Sequence, residues 1–229
     1  MTDFSPLEKL LNLKFKNHEL FERAFTHRSF LNENKGKDLK SNERLEFLGD
    51  AVLELSATHH LFHKYPDQDE GQMTSFRSAL VKGEHLAQVA RELELGQYFK
   101  LSNGEERSKG RQKSYLLANS VESLIGAIYV DQGYEIADQF VQKFVLTKLD
   151  QIIAEGLHID AKSHFQELAQ EKLGHTPHYE LISDHGPDHS KLFIMAAHVG
   201  DELIAEGQGP SKQKAEDDAA RNALKKLKW

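Results

Sequence analysis

The sequence predicts a mainly α protein in two parts: an all-helical part spanning residues 1–155, then a small α-β-β-β-α unit spanning 156–229. Three observations predict it. Apolar residues recur at three- and four-residue spacing from Pro6 to about Gly156, the period of helices buried on one side. After Gly156, three short runs of strand character stand between two helical ones. Clusters of Gly, Asn and Asp fall between those runs, where the chain has to turn.

In the first part the periodicity predicts helices near 18–26, 43–63, 74–82, 84–95, 114–131 and 135–149. Between Ser102 and Lys113, Asn103, Gly104, Ser108 and Gly110 lie among charged residues, which predicts an exposed loop. In the second part a helix from Ala161 to Lys172 precedes strands at Tyr179–Ser183, Leu192–Val199 and Glu202–Gly207. Asp184-His185-Gly186-Pro187-Asp188 and Gly200-Asp201 supply the turns, and a last helix runs from Ser211 to Leu227. The joint near 155–160 has no long Gly/Ser linker, and the chain shows neither an internal repeat nor a low-complexity tract.

Composition narrows the chemistry. With 28% charged and 39% hydrophobic residues the chain reads as globular, and no apolar run approaches the roughly 18 residues of a membrane span. The start of the chain has neither a basic segment nor an apolar one after it, so the expected setting is the cytoplasm. Zero cysteines exclude disulfides and thiolate metal sites, so any metal must be held by oxygen or imidazole. A net charge of −7 argues against coating nucleic acid by bulk electrostatics, while leaving room for a local basic surface.

The run from Asn42 to Leu53 is the most informative stretch. At about 100° per residue, Glu46 and Asp50 lie roughly 60° and 20° from Glu43, with Leu45, Leu48 and Val52 on the opposite side. Phe47 and Leu53 flank the acidic stripe, so the helix reads as apolar nearly all round and hence as a buried element. Spacing leaves two readings open: a solvated acidic face, or carboxylates gathered to hold a cation. A second apolar run, Leu116 to Tyr129, carries Asn119 and Glu122 at i and i+3. Facing helices would bring Glu46, Asp50, Asn119 and Glu122 together as oxygen ligands suited to Mg or Mn rather than zinc. Thr58-His59-His60-Leu61-Phe62-His63 looks like a metal cluster but lies two to four turns beyond Asp50 and reads as surface histidines.

Three segments, Ala24 to Ser29, Asn42 to Leu53 and Leu117 to Asp131, together resemble bacterial ribonuclease III in order and separation. The resemblance covers essentially the whole chain. It implies a helical endonuclease domain over 1–155 and a double-stranded-RNA-binding domain over 156–229, acting on ribosomal and other RNA as a homodimer in which each subunit supplies one metal site. It further implies that Glu46, Asp50 and Glu122 are metal-binding catalytic carboxylates, with Asp50 and Glu122 nearest the chemistry, that Glu43 and Glu70 are accessory acidic residues, and that Mg is the cofactor with Mn as substitute. No nucleotide cofactor and no membrane partner are expected. Asn119 departs from the family pattern, which usually has an aspartate there, so one negative charge is lost per site. A duplex-RNA-binding factor with weak or lost cleavage is the alternative that this departure motivates.

In the second part, Glu206 to Lys214 leads a strand into a helix, so that backbone amides, the helix dipole and two lysines converge where a phosphate can sit. By resemblance, Gln166, Glu167 and His189 contact the minor groove while Lys212 and Lys214 face phosphates. Gln213 stands where a basic residue is common. Residues 160–229 hold nine Lys/Arg against twelve Asp/Glu, yet six of the nine lie between Lys212 and Lys228. Single-strand binding is disfavoured, because the strands lack clustered aromatics for base stacking.

Overall fold

The structure is a computed structural model that describes residues 3–35, 39–154, 156, 158–187 and 191–229. The chain divides into two compact units, Met1–His158 and Ile159–Trp229.

Unit 1 is helical: α1 (Ser5–Leu11), α2 (His18–Ala24), α3 (Arg28–Glu33), α4 (Glu43–Lys64), α5 (Glu70–Val81), α6 (Gly83–Glu92), α7 (Asn103–Arg107), α8 (Ser114–Gln132), α9 (Tyr134–Phe144) and α10 (Leu149–Ala154). Its axis is α8. Leu116, Leu117, Val121, Leu124, Ile125 and Ile128 are all buried, as a helix apolar on every side but its Asn119–Glu122 face must be over its middle turns. Ser123 Oγ, also buried, donates to the Ala24 carbonyl at 2.7 Å and ties α8 to the end of α2.

Helices α4 and α8 approach backbone to backbone. A Cβ built on Gly49 would sit 1.7 Å from the Glu122 carbonyl oxygen, and one on Gly126 would sit 2.1 Å from that of Leu45. Only glycine fits at either position. This crossing decides which sides of α4 are covered and corrects the expectation of a helix buried all round. Leu45, Val52 and Leu53 are buried, whereas Phe47 is 82% exposed, with Leu55 and Phe62 also open to solvent.

Element ends also differ from the pattern reading. Asp69 caps α5 by accepting from the Gln72 amide at 2.8 Å, so that helix begins at Glu70, four residues early. The expected loop over Ser102–Lys113 is instead α7 and a 3₁₀ turn at Gly110–Gln112. Ser102 caps α7, and ion pairs from Arg111 to Glu106 and from Lys113 to Glu105 hold the segment. The 135–149 helix breaks at Val145 into α9, a 3₁₀ turn and α10.

Unit 2 runs α11 (Ala161–Leu173), β1 (Pro177–His185), β2 (Leu192–Val199), β3 (Glu202–Gly209) and α12 (Lys212–Leu227). The strands form one antiparallel sheet in the order β1-β2-β3. Phe165, Ala169, Ala197, Val199, Ile204, Ala219 and Ala223 make its core between the helices and one sheet face. Gly207 and Gly209 let β3 lie close against α12, since a Cβ at Gly207 would meet the Ala219 amide nitrogen at 2.0 Å. The start of α12 is thereby fixed to the end of β3.

Candidate metal centre and RNA-facing surface

The glycine-mediated crossing sets the geometry of the acidic stripe. With Gly49 pressed on Glu122 and Gly126 on Leu45, the α4 stripe meets the Asn119–Glu122 face of α8. Glu46 accepts a hydrogen bond from the Asn119 side chain. Its carboxyl is nonetheless held above the usual range, chiefly by burial and further by the charges of Glu43 and Asp50. Glu122 is more strongly affected. Burial first, then the charges of Asp50 and Glu46, push its carboxyl from 4.5 up to about 7.

The structure thus brings together Glu46, Asp50, Asn119 and Glu122, with Glu43 at the edge. Glu43 is exposed, accepting from Ser41 Oγ at 2.9 Å and pairing with Arg28 at 3.5 Å. Glu70 is elsewhere: it lines a cavity of about 170 Å³ with Phe62, Met73 and Arg77.

The donor set fits a hard divalent cation. All its ligating atoms are oxygens, and the influences that raise Glu122 are burial and like charges, with no cation among them. A bound divalent ion would relieve that repulsion. Among the described residues, no group of three or more His, Cys, Asp or Glu side chains is placed to hold a metal ion as it stands. The residues that could hold a cation are therefore three carboxylates and one amide on two helices, whose remaining coordination would come from water or substrate.

The histidines stand apart. His59 and His63 stack edge to face at 4.5 Å on the exposed side of α4. His27 caps α3, its Nδ1 accepting from the Ser29 amide at 3.3 Å, and burial lowers its pKa. Pattern reading missed the exposed stripe of Phe47, Leu55 and Phe62. The signal was present in Gly49, which marks the side of α4 that its neighbour covers.

In unit 2, Ser211 caps α12 by accepting from the Lys214 amide at 3.3 Å, and Lys212 and Lys214 occupy the exposed first turn. Gln166 and Glu167 are exposed on α11. His189 lies outside the described residues. Lys162 of α11 pairs with Glu216 of α12, linking the two helices that carry these side chains.

Residues 17–149 match the family model described as Ribonuclease-III-like, and residues 161–227 match that of the double-stranded RNA binding motif. The chain belongs to the ribonuclease III family. It is 42% identical over 227 residues to Ribonuclease 3 of Dehalococcoides mccartyi, covering 99% of this chain and 96% of that one. It is 38% identical over 230 residues to Ribonuclease 3 of Listeria monocytogenes, covering 99% of each. A nuclease-domain structure of ribonuclease III from Campylobacter jejuni superposes with a TM-score of 0.59 at 38% identity, covering 63% of this chain and 96% of that one. As a ribonuclease III family member the protein is a metal-dependent endoribonuclease carrying a duplex-RNA-binding domain. A factor that binds RNA without cleaving it is not favoured. No helix among the described residues is long and apolar enough to cross a membrane.

Proposed function

We propose that Asp50 and Glu122, with Glu46 and the Asn119 amide, form the centre at which this ribonuclease III hydrolyses double-stranded RNA. In this reading Mg is the natural cation and Mn a substitute. Residues 1–155 carry the cleavage and 156–229 the grip on the duplex. The observation that carries it is the Glu122 carboxyl, pushed up to about 7 by burial, Asp50 and Glu46 at an oxygen-only site.

Glu46, Asp50, Glu122 and the Asn119 amide would hold a divalent cation, which would supply activation of water for in-line attack on phosphorus and stabilisation of the departing oxygen. The products carry 5′-phosphate and 3′-hydroxyl ends. The chain's own part is positioning. Glu122 sits on the buried α8, whose rotation is fixed by Ser123 and by the Gly49 and Gly126 contacts. The Asn119 amide orients Glu46. Asp50 meets substrate, a reading supported by its exposure on α4. The amide in place of a carboxylate at 119 raises the cation concentration required without removing a ligand. Glu43 and Glu70 act as accessory acidic residues, at the edge of the site and on α5.

Gln166, Glu167 and His189 read the minor groove, and Lys212 and Lys214 bind phosphates across the major groove. The working form is a homodimer, supported by the exposed apolar stripe of Phe47, Leu55 and Phe62 on α4. The Campylobacter nuclease domain is likewise described as having a region involved in dimer formation. The setting is the cytoplasm, and the substrates are ribosomal and other RNA.

The test is cleavage of long duplex RNA in Mg by wild type, Glu122→Gln and Asn119→Asp. Wild type should cut, Glu122→Gln should shift the RNA on a gel without cutting it, and Asn119→Asp should cut at lower Mg. Wild type that shifts the RNA and leaves it intact would end the proposal.

A further inference from the structure

A second group of metal-ligating side chains stands on the sheet of unit 2. β1 and β2 set His178 and His198 directly opposite each other, with ring centroids 5.1 Å apart and planes within 17° of parallel. Glu180, two residues along β1 and so on the same face, reaches both rings. One carboxylate oxygen is 3.7 Å from His178 Nε2 and the other 4.0 Å from His198 Nε2.

Tyr179, Ala197 and Val199 pack toward the helices, so by strand alternation the three side chains point to the opposite side, away from the helix layer. They have no part in the core. The His178 and Glu180 side chains are 50% and 66% exposed, and that of His198 is 19% exposed.

Two imidazoles and a carboxylate are the donor set of borderline first-row cations such as zinc or nickel, whereas the oxygen-only centre on α4 and α8 suits a hard cation. Ligand atoms about 2.0–2.2 Å from a shared tetrahedral ion lie roughly 3.3–3.6 Å from one another. Glu180 is a few tenths of an ångström beyond that from each ring. Among the described residues no three such side chains are placed to hold a metal ion as they stand, so binding here requires rotation of His178 and Glu180, both of which are exposed. The other histidine pair, His59 and His63 on α4, has no ion pair to a carboxylate among the described residues.

We propose that His178, Glu180 and His198 bind one borderline divalent transition-metal ion on the outer face of this sheet, bridging β1 and β2. The test is calorimetric titration of the full, tag-free chain with zinc, in excess Mg so that the oxygen site is occupied. One zinc should bind. His178→Gln and His198→Gln should each weaken it at least about tenfold, the low end of what even outer-shell partners cost a metal site, and His63→Gln should leave it unchanged. Melting of each variant without metal, and its shift of duplex RNA, separates a lost ligand from a misfolded sheet. Glu180→Gln and His178→Gln, both at exposed positions, carry the test should His198→Gln fail to fold. Wild-type zinc affinity in both of those variants, or loss of binding in His63→Gln alone, would overturn the assignment.

Discussion

Replacing Glu122 with glutamine should stabilise the cation-free protein by an amount that grows with pH. Burial, then Asp50 and Glu46, hold this carboxyl at about 7 in the folded chain, against an ordinary value of 4.5. The folded state therefore binds more protons than the unfolded one between those values, and stability falls as pH rises through that window. At about 1.36 kcal/mol per pKa unit, ionising Glu122 costs the fold about 1 kcal/mol by pH 5 and about 3 kcal/mol at pH 7 to 8. For a unit of this size that is a difference of about 6–12 °C in Tm at neutral pH. The assay is thermal melting in EDTA at pH 5 and pH 8, followed by helical circular dichroism, because the single tryptophan, Trp229, reports on the other unit. The gap between Glu122→Gln and wild type should widen by about 2 kcal/mol from the lower pH to the higher. Mg should then narrow it by raising wild type more than the variant, which keeps two carboxylates and loses one charge. A gap of the same size at both pH values would refute the reasoning, since packing or hydrogen-bond effects of an amide do not titrate.

Gly126→Ala forces a Cβ to within 2.1 Å of the Leu45 carbonyl oxygen, and should lower stability in urea by about 1–3 kcal/mol or more while reducing cleavage. Asn119→Asp adds a charge beside Glu46 and should lower the Mg concentration for half-maximal cleavage on the order of tenfold, read from a Mg titration. Lys212→Ala and Lys214→Ala should each reduce the slope of log affinity for duplex RNA against log salt by about 1; a slope unchanged in both would remove these lysines from the interface. Phe47→Asp should shift sedimentation toward monomer, and an unaltered oligomeric state would exclude the α4 stripe as the dimer contact.

How far the fold could be read from the residues depends on which features are local. Periodicity is local, so the long apolar helices and the strand-and-turn grammar after Gly156 were legible. Helix ends were less so. The start of α5 depends on Asp69 capping an amide three residues on, and the ordering of Asn103–Gln112 depends on Arg111 and Lys113 finding Glu106 and Glu105. Residue type does not announce such pairings, and a charged, glycine-containing segment looks the same whether they form or not.

The acidic centre shows the same division more sharply. Helical phase alone put Glu43, Glu46 and Asp50 on one stripe, but it could not say whether that stripe met water or another helix. The answer lay in two glycines some 77 residues apart. Gly49 and Gly126 permit a backbone contact that no other residue allows, and this contact turns the stripe toward Asn119 and Glu122. The same contact leaves Phe47, one position from Glu46, facing outward, which is why the phase that located the site also misjudged the helix as buried all round. A residue's chemistry is written at its own position, whereas its burial is written in the size of its neighbour's side chain. In this chain the absent side chains at Gly49 and Gly126 therefore locate the centre as firmly as the carboxylates that compose it.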